Sequence, residues 1–225
     1  GKLFLIGPTT GIEGVFRGPW YYWLIAPFYF LGAGNPIWPS VFLSFTIVLS
    51  ILLVYILGKE VNDRTTGIIA AIIASFSFAF VSAGRWLSNP TPMFLISMLL
   101  LWSMFRVLDG RRWAWILIGF LLGQAMQFGS AAEIFYFAAV GIFAISLASR
   151  SGQRKNLPDI KTGILSVAAL FIVFLPQIAF DIKHDGILRS TIGRFLLQED
   201  SFKLSFWEIV QNEYLYFLNL YKQYK

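Results

Sequence analysis

From Ile37 to Gly58 the chain carries no charged side chain. The stretch is apolar almost throughout and close to the roughly 20 residues that a helix needs to cross the hydrocarbon core of a bilayer. Further apolar runs follow at about Thr66 to Ala83, Met93 to Val107, Trp113 to Phe128, Ala131 to Leu147 and Thr162 to Phe180. In hydrocarbon each backbone N–H and C=O must be paired inside the protein, which restricts the structures that can span. The sequence therefore predicts an all-α, polytopic membrane bundle of about six spans. Composition agrees: 57% of the 225 residues are hydrophobic and 13% are charged, against about a quarter charged in soluble domains. In the second run Gly67, Ala70, Ala71, Ala74 and Ser75 would let another helix approach closely. Pro176 lies inside the sixth run and is expected to kink it.

Several functions are excluded early. There is no cysteine and one histidine, His184, so neither a disulfide nor a multi-histidine metal site can form within the chain. The net charge of +6 does not imply nucleic-acid binding, because in a membrane protein basic residues report orientation. The turns after the first, third and fifth spans hold Lys59, Arg64, Arg106, Arg111, Arg112, Arg150, Arg154, Lys155 and Lys161. The short turns on the other side hold Arg85, with Lys2 and Arg17 before the first span. Short loops rich in Lys and Arg are cytoplasmic, so the first set is expected inside and the second outside.

The outer face then collects the distinctive polar pieces. Residues 7–27, GPTTGIEGVFRGPWYYWLIAP, read as a glycine- and proline-punctuated loop that leads into a short interfacial helix with an aromatic anchor at Trp20 to Trp23. The loop carries one acid, Glu13, and one base, Arg17. Residues 1–35 are thus expected to form an outer loop and interfacial helix, 36–181 the bundle, and 182–225 an amphipathic outer segment. Within the last, about Leu204 to Tyr224 alternates aromatic and charged residues. The chain opens on Gly1 without Met and stops at Lys225 inside that pattern, and it reads as a piece of a longer protein with its first span upstream.

Three passages carry a resemblance: IGPTTGIEGVFRGPWYYWLIAPFYFLGAGNP, GRWLSNPTP and LPQIAFDIKHD. With the spacing of the spans between them, the chain resembles the polytopic GT-C glycosyltransferases, specifically the dolichyl-phosphate-mannose–protein mannosyltransferase-like group of family thirty-nine. The bacterial aminoarabinose transferase of lipid A is a relative. The resemblance implies a polyprenyl-phosphate-linked sugar donor, an acceptor of unknown identity and transfer at the outer face of a bacterial or archaeal plasma membrane. It implies a catalytic acid in the first outer loop, upstream of the LIGPT stretch. Glu13 is then the candidate base inside this chain. A divalent cation is possible by the same resemblance, although no complete ligand set is seen.

Such chemistry needs a groove for the tail, cations for the phosphate and a carboxylate for the acceptor proton. Arg17, Arg85, Lys183, His184 and Arg189 are the outer-face cations. Arg85, beside Trp86, either contacts phosphate or anchors a helix end. Asn89 stands where many relatives carry an acid, or it caps the helix starting near Pro90. Glu133 either lines a polar pocket with Gln124 and Gln127 or sits at a helix start because the dipole favours it. Asp181, Lys183, His184 and Asp185 form a binding cluster or a solvated helix end. Trp20 and Tyr21 are interface anchors or sugar stackers. A transporter or flippase would place ionisable groups near the span centres and often repeat internally; these spans do neither. A non-catalytic membrane scaffold stays open.

Overall fold

The computed structural model describes residues 4–10, 16–129 and 131–198. Among them there is no named strand, and the chain is organised as helices. These are α1 (Trp20–Leu31), α2 (Ile37–Val61), α3 (Arg64–Phe76), α4 (Phe78–Gly84), α5 (Met93–Leu108) and α6 (Ala114–Phe128). They continue as α7 (Phe135–Ser149), α8 (Ile160–Ile172), α9 (Leu175–Lys183) and α10 (Ile187–Gln198). Single 3-10 turns at Ala131–Ile134 and Arg154–Asn156 lead into and out of α7. Before α1, the Gly7 N–H donates to the Arg17 carbonyl at 2.7 Å and the Arg17 N–H to the Pro8 carbonyl at 3.0 Å. These bonds draw the first loop into a closed hairpin. The amphipathic stretch at 204–224 lies outside the described residues.

Two of the expected spans are broken rather than continuous. The second bends by 60° between α3 and α4, where Ser77 leaves the helical region at φ −65, ψ 126. The sixth bends by 53° between α8 and α9. Its cause is Pro176, although the break falls ahead of the proline itself. A proline ring clashes with the carbonyl four residues earlier, and four residues before Pro176 is Ile172, the last residue of α8. Pro176 then sits in the first turn of α9, where its missing N–H costs nothing. The 25-residue α2 is long and apolar enough to cross alone. By contrast α5, α6 and α7 have 16, 15 and 15 residues, or roughly 22–24 Å at 1.5 Å per residue.

The outside of the bundle is apolar. Trp38, Val41, Phe45, Val48 and Leu52 of α2 are exposed in one stripe, while Leu43, Ile47 and Ser50 are buried on the other side. Ile68, Ile69, Ile72 and Ile73 of α3 also face outward. Exposure on this scale belongs against lipid, since in water it would drive association. Small residues set the close contacts inside. A Cβ on Gly67 would lie 2.6 Å from the Tyr55 carbonyl oxygen, so α3 can pack on α2 only with glycine there. Helix α6 is the centre. A Cβ on Gly119 would lie 2.1 Å from the Ser166 carbonyl oxygen, and one on Gly123 2.9 Å from that of Leu170. The G-x-x-x-G spacing thus brings α8 onto the α6 backbone, and the Ser166 hydroxyl donates to the Trp115 carbonyl at 2.6 Å.

The polar turns sort to the two ends of α6. At its start, Arg106 pairs with Glu60 and, at 3.1 Å, with Asp109. Arg112 pairs with Asp159 at 3.7 Å, and the Asn156 amide donates to the Leu108 carbonyl at 3.1 Å. These contacts tie together the turns after the first, third and fifth spans. The turns of the other set gather at the far end of α6.

Candidate functional site

The last carbonyls of a helix have no partner within it, and at the end of α6 they are taken by distant side chains. The Phe128 carbonyl accepts from the Arg17 guanidinium at 3.1 Å and from the Asn89 amide at 2.7 Å. Asn89 also donates to the Gln127 carbonyl at 3.3 Å. This corrects the expectation that Asn89 caps the helix following it: α5 starts after Pro92 with no side-chain cap, and Asn89 closes the end of α6 instead. Its Oδ1 is buried without a partner.

Gln127, 1% exposed, joins three segments. Its Oε1 accepts the Gly18 N–H at 2.5 Å, and its Nε2 donates to Gln177 Oε1 at 2.6 Å. Gln177 in turn donates to the Phe16 carbonyl at 2.9 Å. The Trp20 indole N–H reaches the Val173 carbonyl at the α8–α9 break, at 2.7 Å. First loop, α6 and the broken sixth span are therefore held in one arrangement.

Two charged side chains border this network. Burial lowers the pKa of Arg17, and the negative charge of Glu133 opposes that shift. Even so, Arg17 stays a cation at neutral pH. Glu133 stands on the 3-10 turn after α6 with its carboxyl group folded over Gly129, where a Cβ would come within 2.2 Å of its Cδ. Arg17, Asn89, Gln127 and Glu133 thus gather at the end of α6, and Gln124 lies one turn below them.

Other candidates lie elsewhere or are engaged. Arg85 is exposed beyond α4, beside an exposed Trp86; the Ser44 hydroxyl of α2 holds the adjacent Gly84 carbonyl. Asp181 accepts the Leu188 and Arg189 N–H groups at 2.8 and 3.2 Å, so it caps the start of α10. His184 stacks on Phe180 with ring centroids 4.0 Å apart, and its Nδ1 lies 2.8 Å from the Phe180 carbonyl oxygen. Lys183 is exposed. Glu13 lies outside the described residues. Among the described residues no three His, Asp or Glu side chains come together to hold a metal ion. Gln177 lies in the LPQIAFDIKHD passage, one residue after Pro176, but no sequence pattern marks it as a partner of Gln127.

Two apolar grooves flank α6 below the network. One, of about 580 Å³, lies at the α8–α9 break between Met126, Phe137, Leu170, Phe171, Phe174 and Ile178. The other, of about 530 Å³, lies between α1, α2, α5 and α6 and is lined by Trp20, Phe42, Leu99, Phe120, Gln124 and Phe128.

An all-α bundle with an apolar exterior and its polar turns sorted to the two ends marks an integral membrane protein. A family model described as dolichyl-phosphate-mannose-protein mannosyltransferase matches residues 17–180, and the chain belongs to this family. It is a membrane glycosyltransferase of the GT-C type. The match runs from Arg17 to the residue before Asp181 and spans the whole cluster at the end of α6. Neither a curated protein nor a solved structure matches the chain significantly.

Proposed function

We propose that the protein transfers a sugar from a polyprenyl-phosphate donor to an acceptor hydroxyl at the outer face of the membrane, and that the end of α6 is the site. The observation that carries this reading is the gathering of Arg17, Asn89 and Glu133 directly above an apolar groove. The polyprenyl tail lies in the groove at the α8–α9 break, which offers it no polar side chain. Its phosphate rises to Arg17, whose guanidinium has five N–H donors and spends one on Phe128. As the acceptor oxygen bonds to the anomeric carbon, the bond from that carbon to the phosphate oxygen breaks. Polyprenyl phosphate leaves with the electron pair, and Arg17 stabilises its growing charge. The acceptor proton passes to a carboxylate. Within this chain Glu13, on the Arg17 loop, is assigned that role, with Glu133 setting the charge of the pocket. Arg85 and Lys183, both exposed, then serve the rim, where the acceptor arrives.

Membranes containing the full-length protein, supplied with radiolabelled polyprenyl-phosphate sugars, test the reading. Arg17→Ala should lower transfer by about a hundredfold, the usual loss for a donor aimed at developing charge, and loss of transfer in a folded Glu13→Gln protein would place the base inside this chain. Full transfer by Glu13→Gln would move the base to another carboxylate. No transfer from any donor by the folded wild-type protein would overturn the reading in favour of a scaffold.

A further inference from the structure

Helix α1 presents different side chains on its two sides. Trp20 and Leu24 turn toward the bundle and line the groove beside α2, α5 and α6. On the other side Tyr22, Ala26 and Tyr29 follow at the spacing of one helix face and line a hollow of about 640 Å³. Phe4 of the first loop and Leu87 of the loop ahead of Asn89 line it as well. The Trp23 indole N–H donates to the Phe4 carbonyl at 3.1 Å, and the Phe4 and Tyr22 rings stand 6.1 Å apart. The size suits a small-molecule site, for which roughly 300–1,000 Å³ is usual.

The chemistry of the walls narrows what fits. They are mostly aromatic, and no charged side chain is among them. Three of the rings carry phenol hydroxyls, those of Tyr21, Tyr22 and Tyr29, and none of the three has a hydrogen-bond partner among the described residues. Tyr21 is 7% exposed, so its ring does not rest among lipid headgroups, the ordinary place of an interfacial tyrosine. Its hydroxyl is reachable from the hollow all the same: the sealed, unpaired atoms among the described residues belong to Asn89, Arg106 and Gln124. Burial, and after it the phenols of Tyr29 and Tyr22, push the Tyr21 pKa up to about 12, so the hydroxyl stays protonated and both donates and accepts. A hydrocarbon chain would leave these hydroxyls unpaired. A quaternary ammonium group would too, since it has no hydrogen-bonding atom, and an anion would find no cation. A neutral pyranose meets both demands. Its C–H faces lie against the negative faces of aromatic rings, and its hydroxyls pair with the phenols in either direction.

We propose that this hollow binds a neutral sugar ring, at a site separate from the phosphate site at the end of α6. The proposal goes beyond the transferase reading and does not depend on it. Tyr21 supplies the buried hydrogen bond, the rings of Tyr22 and Trp23 supply the stacking surface, and the single methyl of Ala26 leaves the room. Tyr21 follows Arg17 by four residues and Leu87 precedes Asn89 by two, so a sugar held here lies at the same end of the bundle as the polar cluster.

The test uses the full-length protein in nanodiscs of phosphatidylglycerol, with two diazirine-tagged probes located by peptide mass spectrometry. One is a β-glucopyranoside, whose equatorial hydroxyls leave C–H bonds on both ring faces; the other is phosphocholine with the same tag. In wild type the glucoside should label residues 21–29 and Leu87 saturably, and untagged methyl β-glucopyranoside should compete the label away. Tyr21→Phe removes one hydroxyl and should weaken binding about three- to tenfold, the worth of one net hydrogen bond. Ala26→Leu fills the hollow and should abolish labelling. Both variants should melt with wild type, because Ala26 is exposed and a phenylalanine keeps the ring of Tyr21. Absence of saturable labelling in wild type, equal labelling by phosphocholine, or undiminished binding by a folded Tyr21→Phe protein would each overturn the site. Competition by polyprenyl phosphate would overturn it too, because the hollow would then belong to the donor site. The wild-type preference for the glucoside decides the case even where a variant fails to fold.

Discussion

At the scale of single residues, the site depends on one buried amide. Gln127 is the only side chain that contacts both the first loop and α9 through hydrogen bonds among the described residues. Gln127→Leu would strand the Gly18 N–H and the Gln177 amide, a loss of about 1–3 kcal/mol. In a double-mutant cycle with Gln177→Leu, thermal unfolding in nanodiscs should show the two changes to be strongly non-additive; simple additivity would mean the bridge is not a stabilising contact. Gln127 was visible in the sequence as a polar residue in an apolar run, close to Gln124 and ahead of Glu133, and a polar pocket there is what those residues suggest. Asn89 was legible as important and misleading as to why. A cap is a local device, whereas Asn89 acts on a helix nearly forty residues away, and no local pattern carries that information. The acidic and basic cluster at Asp181–Asp185 shows the reverse. The family resemblance there suggests binding, yet Asp181 is engaged with the backbone of α10.

At the scale of elements, apolar runs locate the spans but not their breaks. Nothing in residues 66–83 announces the extended geometry of Ser77, whereas Pro176 does announce a bend, displaced by its reach to Ile172. The G-x-x-x-G at 119–123 was also open to reading, since two glycines one turn apart in an apolar helix mark a close helix contact. It predicts a sharp contrast between glycines. Gly119→Ala should destabilise the bundle by about 1–3 kcal/mol, the range for overpacking, because the nearest atom is backbone and cannot step aside. Gly141→Ala in α7 meets nothing within 4 Å and should leave unfolding unchanged or slightly later. Thermal melts of both variants in the same detergent check this, and equal melts would mean that α8 does not rest on Gly119.

For the whole molecule, the short helices and bent spans point to a bundle thinner than an average bilayer core. A span shorter than the surrounding hydrocarbon is accommodated by thinning the bilayer, at a modest cost per ångström. Stability and transfer should therefore be higher in nanodiscs of phosphatidylcholine with chains of about 14 carbons than in those of about 20 carbons, and a flat response would show that α5, α6 and α7 are matched by other means. The bridge across the site has a further consequence, for the making of the protein. Phe16 and Gln177 are 161 residues apart, and a ribosome adds about 5–20 residues each second. For roughly 8–30 s of synthesis the Phe16 carbonyl waits without that partner, and the Gln127 amide waits for roughly 2.5–10 s while the 50 residues between it and Gln177 are added. The nascent chain is then a bundle with an open end until α9 arrives to close it.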